Sequence, residues 1–300
     1  MIGSGMRVGV DFGGTKIEAA AVTADGGFAT RVRRPNPGAY EPALDVVAEL
    51  IAEVEAAVGP AERVGVGIPG SPSPRTGLVR NANSTWLNGR SLREDLERRL
   101  ARPVRLANDA DCFALSEATD GAAAGARSVF GAILGTGCGG GVVIDGRLLS
   151  GASGIAGEWG HTPLPWPSGA ELPPTLCWCG RSGCLETYVA GTGFERDYAL
   201  AAPRLSGPEI VAAMRAGEPA ATAAFDRYLD RLARGLAVIC DIIDPEVIVL
   251  GGGMSNVSEL YLRLPGAVAP HVFSDVWETP IRPAMHGDSS GVRGAAWLWP

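Results

Sequence analysis

A dense cluster of cysteine and histidine restricts the folds open to this chain more than any other feature of its sequence. It occupies residues 158–186 and reads Glu158-Trp-Gly-His161, a proline-rich segment, and then Cys177-x-Cys179-Gly-x-x-Gly-Cys184-x-Glu186. One imidazole and three thiolates are a ligand set that tetrahedral zinc takes in closed structural sites. Gly180 and Gly183 let the backbone fold back so that the thiolates can share one ion. The cluster therefore predicts a zinc site made by His161, Cys177, Cys179 and Cys184.

A disulfide is the alternative to a metal in this cluster. The N-terminus lacks the basic and then apolar segments of a secretory signal, which favours a reducing compartment. In such a compartment a tight cysteine cluster is more often a metal site than a disulfide knot. Two carboxylates, Glu158 and Glu186, bracket the ligands. They are either ordinary surface charges or groups that the bound metal holds in a fixed position.

Length and composition describe a globular, acidic protein. The chain has 300 residues, of which 46% are hydrophobic and 20% charged, and its net charge is −7. A chain of this length usually needs two lobes, and its acidity argues against a general nucleic-acid partner. No apolar run reaches the roughly 20 residues that span a bilayer. We therefore expect a soluble, cytoplasmic protein with no membrane partner.

The pattern along the chain suggests where the two lobes divide. We expect an N-terminal lobe at residues 1–122 and a C-terminal lobe at 123–290, with the metal segment 158–186 inserted in the second lobe. A closing helix at 291–300 is expected to return to the first lobe, and residues 1–5 resemble a leader before a native start at Met6. Periodicity predicts strands near 7–11, 17–22, 28–34, 63–68, 104–106, 128–134, 142–145, 246–250 and 281–285, and helices near 41–58, 108–117, 187–198, 207–216, 221–243 and 291–299.

Two glycine-rich turns share one pattern of strand, Gly/Thr turn and strand. The first is Asp11-Phe-Gly13-Gly14-Thr15-Lys16, and the second is Gly135-Thr136-Gly137-Cys-Gly-Gly-Gly141. Their backbone N–H groups can bind phosphate, and Asp11 can hold hydrated Mg²⁺. Because one turn lies in each predicted lobe, we expect the two to hold two sides of a polyphosphate. A third cluster, Gly251-Gly252-Gly253, follows a buried strand and offers bare backbone to an adenosine.

Two further stretches suggest a sugar and a base. The loop Asn81-Ala-Asn83-Ser-Thr-Trp-Leu-Asn-Gly89 carries amides that match hydroxyl groups and a tryptophan that can cover an apolar sugar face, although it also suits a plain surface loop. Asn108-Asp109 follows a short strand and opens a helix. Asp109 is there either as a helix N-cap or as a general base at the end of a strand.

Taken together, these motifs resemble the ROK family of bacterial sugar kinases and repressors. The resemblance rests on Asp11-x-Gly-Gly-Thr15, Gly135-Thr-Gly-x-Gly-Gly, Glu158-x-x-His161, the cysteine stretch to Glu186, and Gly251-Gly-Gly, and it extends from Arg7 to Pro300. Within the family, three runs are similar to the fructokinases, also called manno(fructo)kinases: 81–89, 156–166 and 286–300. The resemblance implies a two-lobed α/β fold of the actin-like, hexokinase-like (ribonuclease H-like) ATPase type, in which each lobe is a mixed sheet flanked by helices and a small loop binds zinc.

The resemblance also implies a role for each motif residue. Asp109 is implied to be the base that takes a proton from a sugar hydroxyl. Sugar contacts are implied for Asn83, Asn108, Asp109, Glu158, His161 and Glu186. Zinc ligation is implied for His161, Cys177, Cys179 and Cys184. ATP, with Mg²⁺, is implied to contact Asp11, Gly13, Gly14, Thr15, Lys16, Gly135, Thr136, Gly137, Gly251, Gly252 and Gly253.

The reaction expected from this resemblance is transfer of the γ-phosphate of ATP to the 6-hydroxyl of fructose. Glucose, mannose and N-acetylglucosamine are alternative sugars, because selectivity can depend on one hydrogen bond. A sugar-sensing repressor is a second alternative, although the first strand starts too early to leave room for a DNA-binding segment. A sugar-binding module without activity is a third, against which the intact Asp109 speaks. A homodimer is expected because dimers are the commonest soluble assembly.

Overall fold

The computed structural model of the protein describes residues 5–299, so most of the expected leader at 1–5 and the last residue of the expected closing helix lie outside the described residues. The strands are β1 (Arg7–Phe12), β2 (Lys16–Val22), β3 (Phe28–Pro35), β4 (Val64–Ile68), β5 (Ser71–Pro72), β6 (Val79–Arg80), β7 (Val104–Asn108), β8 (Ser128–Leu134), β9 (Cys138–Ile144), β10 (Arg147–Leu148), β11 (Val247–Gly251) and β12 (Ile281–Pro283). The helices are α1 (Tyr40–Val58), α2 (Leu92–Leu100), α3 (Asp109–Thr119), α4 (Glu186–Val189), α5 (Gly191–Tyr198), α6 (Gly207–Arg215), α7 (Pro219–Ile243), α8 (Ser258–Val268) and α9 (Ser290–Trp297).

The chain divides into two compact units that are interleaved in sequence. The first unit contains the residues up to Gly125, residues 141–156 and the residues from Met285 onward, and the second contains residues 126–140 and 157–284. The predicted lobes, 1–122 and 123–290, are single segments and do not separate residues 141–156 from their neighbours. Close packing explains this grouping, because a Cβ on Gly141 would lie 2.7 Å from the carbonyl oxygen of Ala110 in the first unit. The division passes through β9.

The first unit is built on a five-stranded mixed sheet in the order β3-β2-β1-β4-β7. Strands β1, β2 and β3 form an antiparallel meander, whereas β1, β4 and β7 run parallel. Helix α1 buries one face on this sheet, as its apolar spacing predicts, with Leu44, Val47, Ile51 and Val54 almost inaccessible to solvent. The parallel strands end at the edge where Asp11 and Asn108 emerge, which positions polar side chains there.

Glycines allow helix α9 to lie directly on the same sheet. A Cβ on Gly9 of β1 would lie 2.2 Å from the carbonyl oxygen of Val292, and one on Gly65 of β4 would lie 1.8 Å from that of Ala295. No side chain fits at such distances, so backbone packs on backbone. The expected return of the closing helix to the N-terminal sheet thus has a direct steric basis.

The second sheet has the order β10-β9-β8-β11-β12, with β8, β11 and β12 parallel. Helix α7 supplies much of the core of the second unit, and its Phe225, Leu232 and Leu236 are buried as predicted. The glycines at 139–141 are predicted as part of a turn, but β9 already begins at Cys138. Close neighbours exclude a larger residue at Gly140, because a Cβ there would lie 2.8 Å from a ring carbon of Trp159.

Sequence periodicity and structure agree for the other long elements, with two differences. Helix α2 is not among the predicted elements. The predicted helix at 187–198 is two helices, because the backbone is extended at Ala190 between α4 and α5. Among residues 5–299, no helix is both long enough and apolar enough to cross a membrane.

Candidate functional site

The four predicted zinc ligands come together in the second unit. The ligand atoms of His161, Cys177, Cys179 and Cys184 all lie within 4.8 Å of one another. Cys177 Sγ is 3.8 Å from His161 Nδ1, and Cys179 Sγ is 3.5 Å from Cys184 Sγ. Ligands about 2.3 Å from a central tetrahedral zinc are separated by about 3.8 Å, so the arrangement fits the ion. The cysteines are free thiols, and the sulfur separations exceed the roughly 2 Å of a disulfide.

Burial opposes the ionisation of two of these thiols. Burial, followed by hydrogen bonds with Cys179 and Cys177, raises the pKa of the Cys184 thiol to about 12. Burial also raises the pKa of Cys177. Zinc binds thiolates, so its charge would offset the cost of ionising these buried groups and would release protons. One imidazole and three cysteine sulfurs are a ligand set that zinc takes, so the donors fit zinc by type as well as by spacing.

Short backbone pairings hold the cysteine loop in shape. Cys184 pairs with Pro163 and Ser182 with Leu176 in isolated antiparallel bridges. Gly180 and Gly183 adopt φ values of 87° and 83°, which favour glycine and fold the backbone back as expected. The loop thus brings residues far apart in sequence to one point without a hydrophobic core of its own.

The outer part of the loop, to which the sequence assigns no task, is tied to helix α7 by a buried ion network. Glu171 Oε1 accepts hydrogen bonds from Arg231 Nε at 2.9 Å and Arg234 Nη2 at 2.5 Å. All three side chains are less than 9% exposed. Burial alone would raise the pKa of Glu171, but hydrogen bonds from Arg234, from the Ser168 amide and from Arg231 lower it below its ordinary value. The network fixes the segment between His161 and Cys177.

The Glu158-Trp159-Gly160-His161 motif is anchored on β9 by its two middle residues. Trp159 is buried, donates its indole N–H to the Gly139 carbonyl oxygen at 2.9 Å, and meets Phe130 edge to face. A Cβ on Gly160 would lie 2.1 Å from the Cys138 carbonyl oxygen, so only glycine fits. Glu158 is exposed and His161 half-buried. The anchor holds the two outer side chains at either end of one turn of 3₁₀-helix (Trp159–His161).

Glu186 links the cysteine loop to the second glycine turn. Its Oε2 accepts a hydrogen bond from the backbone N–H of Cys138 at 3.0 Å, and its Oε1 accepts one from the indole N–H of Trp178 at 2.7 Å. A larger residue at Gly137 would displace Glu186, because a Cβ there would lie 2.8 Å from Glu186 Oε2. Glu186 is therefore held by defined donors, which distinguishes it from an ordinary surface charge.

The second glycine turn is supported by two segments of the second unit. The Gly191 N–H donates to the Gly135 carbonyl oxygen at 2.7 Å, and the Thr192 hydroxyl donates to that of Thr136 at 3.0 Å. These supporting residues are absent from the sequence prediction. The signal was present: Gly191-Thr192-Gly193 repeats the letters of Gly135-Thr136-Gly137.

The third glycine cluster lies against the same turn. Gly252 has a φ of 79°, and a Cβ on it would lie 2.6 Å from the carbonyl carbon and oxygen of Leu134 and 2.9 Å from the Gly135 nitrogen. The phosphate segment predicted at 135–137 and the adenosine segment predicted at 251–253 are thus neighbours within the second unit. Their roles toward a nucleotide stay predictions.

The first glycine turn belongs to the first unit and is held by Asn36. Asn36 donates its side-chain amide to the Gly13 carbonyl oxygen at 2.7 Å and its backbone N–H to that of Thr15 at 2.9 Å. Gly13 is half-buried, whereas Gly14 and Thr15 are exposed. Asn36 also supports a glycine turn, and no sequence pattern predicts this contact. It follows an edge strand and lies twenty residues after the turn.

Asp11, at the end of β1, lies in a concentration of negative charge. Burial, followed by the nearby charges of Asp109 and Glu18, raises its pKa to about 6, while the charges of Lys16 and Arg31 act in the opposite direction. Carboxylates crowded in this way are the oxygen ligands that divalent cations take, directly or through water. The roles of Asp11 and Lys16 toward Mg²⁺ and ATP stay predictions, and Lys16 is the chain's one lysine.

Asn108, and not Asp109, is the N-cap of helix α3. The Asn108 Oδ1 accepts a hydrogen bond from the Ala110 N–H at 2.8 Å, while its Nδ2 donates to the Gly70 carbonyl oxygen at 2.9 Å. Asp109 is the first helical residue, is exposed, and has its Oδ1 2.8 Å from the same Ala110 N–H. The capping explanation for Asp109 is therefore weakened, because its neighbour already caps the helix.

The polar loop 81–89 differs in one respect from its predicted use. Trp86 is half-buried and packs on Phe12 of the core, with ring centroids 6.0 Å apart, so much of its surface is committed to the fold. Asn88 closes the loop with two hydrogen bonds to the backbone of Ala82. Asn83 is exposed on this loop. The amide is presented to solvent, whereas the tryptophan mainly anchors the loop.

Comparison with known proteins agrees with these observations. The ROK family profile matches residues 7–300. An N-acetyl-D-glucosamine kinase of Photobacterium profundum is 43% identical over 300 residues, covering 98% of this chain and 99% of that protein. The crystal structure of a ROK hexokinase from Thermus thermophilus superposes with a TM-score of 0.86 at 35% identity over 97% of both chains.

A ROK family glucokinase from Streptomyces griseus, solved with glucose and AMPPNP, gives a TM-score of 0.80 at 29% identity, over 98% of this chain and 99% of that one. The expected two-lobed, hexokinase-like α/β fold with mixed sheets is thereby confirmed. The expected nearness to fructokinase is not confirmed, because relatives that are 42–43% identical to this chain are named N-acetyl-D-glucosamine kinase. The match of profile, sequence and structure over almost the whole chain means that this protein belongs to the ROK family.

Proposed function

We propose that this protein is an ATP-dependent sugar kinase that phosphorylates the 6-hydroxyl of N-acetyl-D-glucosamine. The observation that carries the proposal is the 43% identity to an N-acetyl-D-glucosamine kinase over essentially the full length of both chains. A second such kinase, from Pectobacterium atrosepticum, is 42% identical over 299 residues. The arrangement of acidic, glycine-rich and cysteine-rich segments is consistent with a kinase that binds a polyhydroxyl substrate.

Asp109 is the general base of the proposed reaction. Phosphoryl transfer needs a group that accepts the proton of the attacking hydroxyl and a set of donors that stabilise the phosphate charge. Asp109 suits the first task because it is exposed at the end of a strand and its neighbour Asn108 performs the capping. Glu158, His161, Glu186, Asn83 and Asn108 are proposed to hold the sugar ring. Carboxylates serve well, since each accepts several hydroxyl donors.

The glycine turns are proposed to hold the nucleotide. Backbone N–H groups at residues 13–16 and 135–137 would bind phosphate oxygens, and Gly251, Gly252 and Gly253 would lie near the adenosine. Mg²⁺, when bound with ATP, neutralises phosphate charge, and Asp11 is the carboxylate proposed to hold its water shell. Glu186 and Cys138 connect the second turn to the sugar-binding loop.

Zinc is proposed to have a structural task. His161, Cys177, Cys179 and Cys184 would hold it, and it would shape the sugar-binding loop. His161 faces Cys177 with its Nδ1, so Nδ1 is the ligand atom and Nε2 is the atom proposed for the sugar. Asp109, in contrast, is positioned by helix α3 and does not depend on the loop for its place.

A panel of sugars tests the proposed substrate. ADP release should be measured with N-acetyl-D-glucosamine, fructose, glucose and mannose, and kcat/KM should be at least tenfold higher for N-acetyl-D-glucosamine than for the others. The Asp109→Asn variant supplies the background of sugar-independent ATP hydrolysis. A higher kcat/KM for fructose would replace the proposed substrate by the second candidate, which the runs at 81–89, 156–166 and 286–300 favour. The expected homodimer stays a prediction that light scattering can test.

A further inference from the structure

Trp178 is an exposed residue with an unusually fixed side chain. It lies between Cys177 and Cys179 in the cysteine loop, and the residue is 69% exposed. Single exposed apolar residues are common and need no explanation. This one, however, is held at both edges. Its ring meets the His161 ring edge to face, with centroids 5.1 Å apart, and its indole N–H donates to Glu186 Oε1 at 2.7 Å.

The hydrogen bond from the Trp178 indole N–H helps to determine where the Glu186 carboxylate points. One oxygen is held by Trp178 and the other by the backbone N–H of Cys138. Hydrogen bonds to a carboxylate are among the stronger ones, and two donors at opposite oxygens fix the plane of the group. A carboxylate has about four acceptor positions, so two donors leave capacity for sugar hydroxyl groups. Cys177 Sγ, 3.8 Å from the same Oε1, is only a weak donor. Without the indole N–H, the Cys138 N–H would be the one strong donor left among these three, and the carboxylate could rotate about that bond.

We propose that Trp178 is a positioning residue that holds Glu186 in the orientation required to bind the sugar. The inference rests on the proposed function, in which Glu186 contacts the sugar ring. Trp178 acts through Glu186, and its neighbours Cys177 and Cys179 make the position of its ring depend on the folded cysteine loop. A metal-bound loop would thus present an oriented carboxylate, whereas a loosened loop would not.

A double-mutant cycle tests the inference. Trp178→Phe removes the N–H but keeps a ring beside His161. The dissociation constant of the sugar, measured by calorimetry without ATP, should rise about tenfold, KM should follow it, and kcat should change less than twofold. In a Glu186→Ala background the same substitution should change the dissociation constant less than twofold, because a residue that acts only through Glu186 has nothing left to orient.

Controls separate this role from a general effect on the loop. Trp166→Phe changes another exposed tryptophan of the same loop, one that stacks on His271 instead, and it should leave sugar affinity unchanged. Zinc content should be equal in wild type and Trp178→Phe. Equal weakening in both Glu186 backgrounds, a loss of zinc, or unchanged affinity would each overturn the inference.

The contact between Trp178 and Glu186 can also be tested without any substrate. This test distinguishes failure of the inference from failure of the proposed function. The chain has seven tryptophans, and the indole N–H resonance that disappears in Trp178→Phe identifies that of Trp178. In Glu186→Ala this resonance should shift more than the other indole resonances. A Trp178 resonance that does not move would overturn the inference even if N-acetyl-D-glucosamine proved to be the substrate. A clear shift in a protein that phosphorylates none of the panel sugars would support the contact and contradict only the proposed function.

Discussion

Asn108 caps helix α3 by accepting a hydrogen bond from the Ala110 N–H at 2.8 Å, which leaves Asp109 as a helical residue that is not needed as the cap. The two neighbours can therefore be separated by mutation. A substitution at Asn108 should lower the stability of the helix in addition to weakening its proposed sugar contact, whereas one at Asp109 should act on chemistry.

Asp109→Asn should lower kcat by about 10²- to 10⁴-fold, because the variant has no base to accept the hydroxyl proton. The dissociation constant of the sugar should change little, since the amide keeps the shape of the carboxyl group. Steady-state kinetics and calorimetry measure the two quantities. Glu94→Gln is the matched control, an exposed acid in the first turn of α2, and it should leave kcat unchanged. A near-normal kcat for Asp109→Asn would exclude the base role.

Cys179→Ser should lower zinc content and sugar affinity together. The substitution removes one of four ligands from a loop that lacks a core of its own, so the loop should lose its shape. Metal analysis of the purified protein and the KM for the sugar are the measurements. Cys240→Ser alters a buried cysteine outside the cluster and should retain full zinc. Stoichiometric zinc in Cys179→Ser would show that the ligand set is wrong.

Glu171→Ala should destabilise the second unit by about 1–3 kcal/mol, because Arg231 and Arg234 would lose their shared buried partner and keep only Asp197 and Asp230 as carboxylate partners. Urea unfolding measures the change. Asp226→Ala removes an exposed ion pair with Arg263 and should change the free energy of unfolding by less than about 1 kcal/mol. If the two variants unfolded at the same urea concentration, the buried network would not be what holds the outer loop.

Gly294→Ala should destabilise the first unit by roughly 2–4 kcal/mol, since its Cβ would lie 1.7 Å from the carbonyl oxygen of Cys112. Gly266→Ala is the matched control in helix α8, where an added Cβ meets nothing within 4 Å. It should stabilise the protein by up to about 1 kcal/mol, the difference in helix propensity. Thermal unfolding of both variants gives the comparison, and shifts of the same sign would contradict the packing of α9.

Asp11→Asn should raise stability at neutral pH in the absence of Mg²⁺. The pKa of Asp11 is raised from 3.8 to about 6 in the folded protein, so the folded state binds a proton between pH 4 and 6 that the unfolded state releases. The favourable contribution of Asp11 is therefore complete below pH 4 and is lost as the pH rises through 6. At pH 7 the ionised group opposes folding on the order of 2 kcal/mol after solvent screening.

The measurement for Asp11 is the melting temperature from pH 4 to pH 8 with a chelator present. The melting temperature of Asp11→Asn minus that of wild type should be smallest at pH 4 and should increase up to about pH 7. Thr15→Ser, in the same turn but without a charge, should show no pH-dependent difference. A constant difference for Asp11→Asn across the pH range would contradict the raised pKa.

The sequence by itself determined the family, the long elements and the composition of the metal cluster. Periodicity at residues 41–58 and 221–243 records which face of a helix is buried, and the ligand chemistry of His161, Cys177, Cys179 and Cys184 restricts what they can bind. Such features are local, because they depend on residue type and spacing. Sugar preference is not of this kind, since one hydrogen bond can decide it, and the runs that favoured fructose do not reveal that bond.

Only the tertiary structure decided which polar residues support others. Asn36 holds the first glycine turn, Gly191 and Thr192 support the second, and Trp178 donates a hydrogen bond to Glu186. The repeated letters at 191–193 mark one of these residue groups, but no pattern in the sequence shows which segment each group contacts. It also decided that Asn108 is the cap and that Trp86 packs on Phe12. The physical reason is that a hydrogen bond or a close backbone contact depends on where distant segments meet, and a linear pattern records which groups are available but not which of them are brought together.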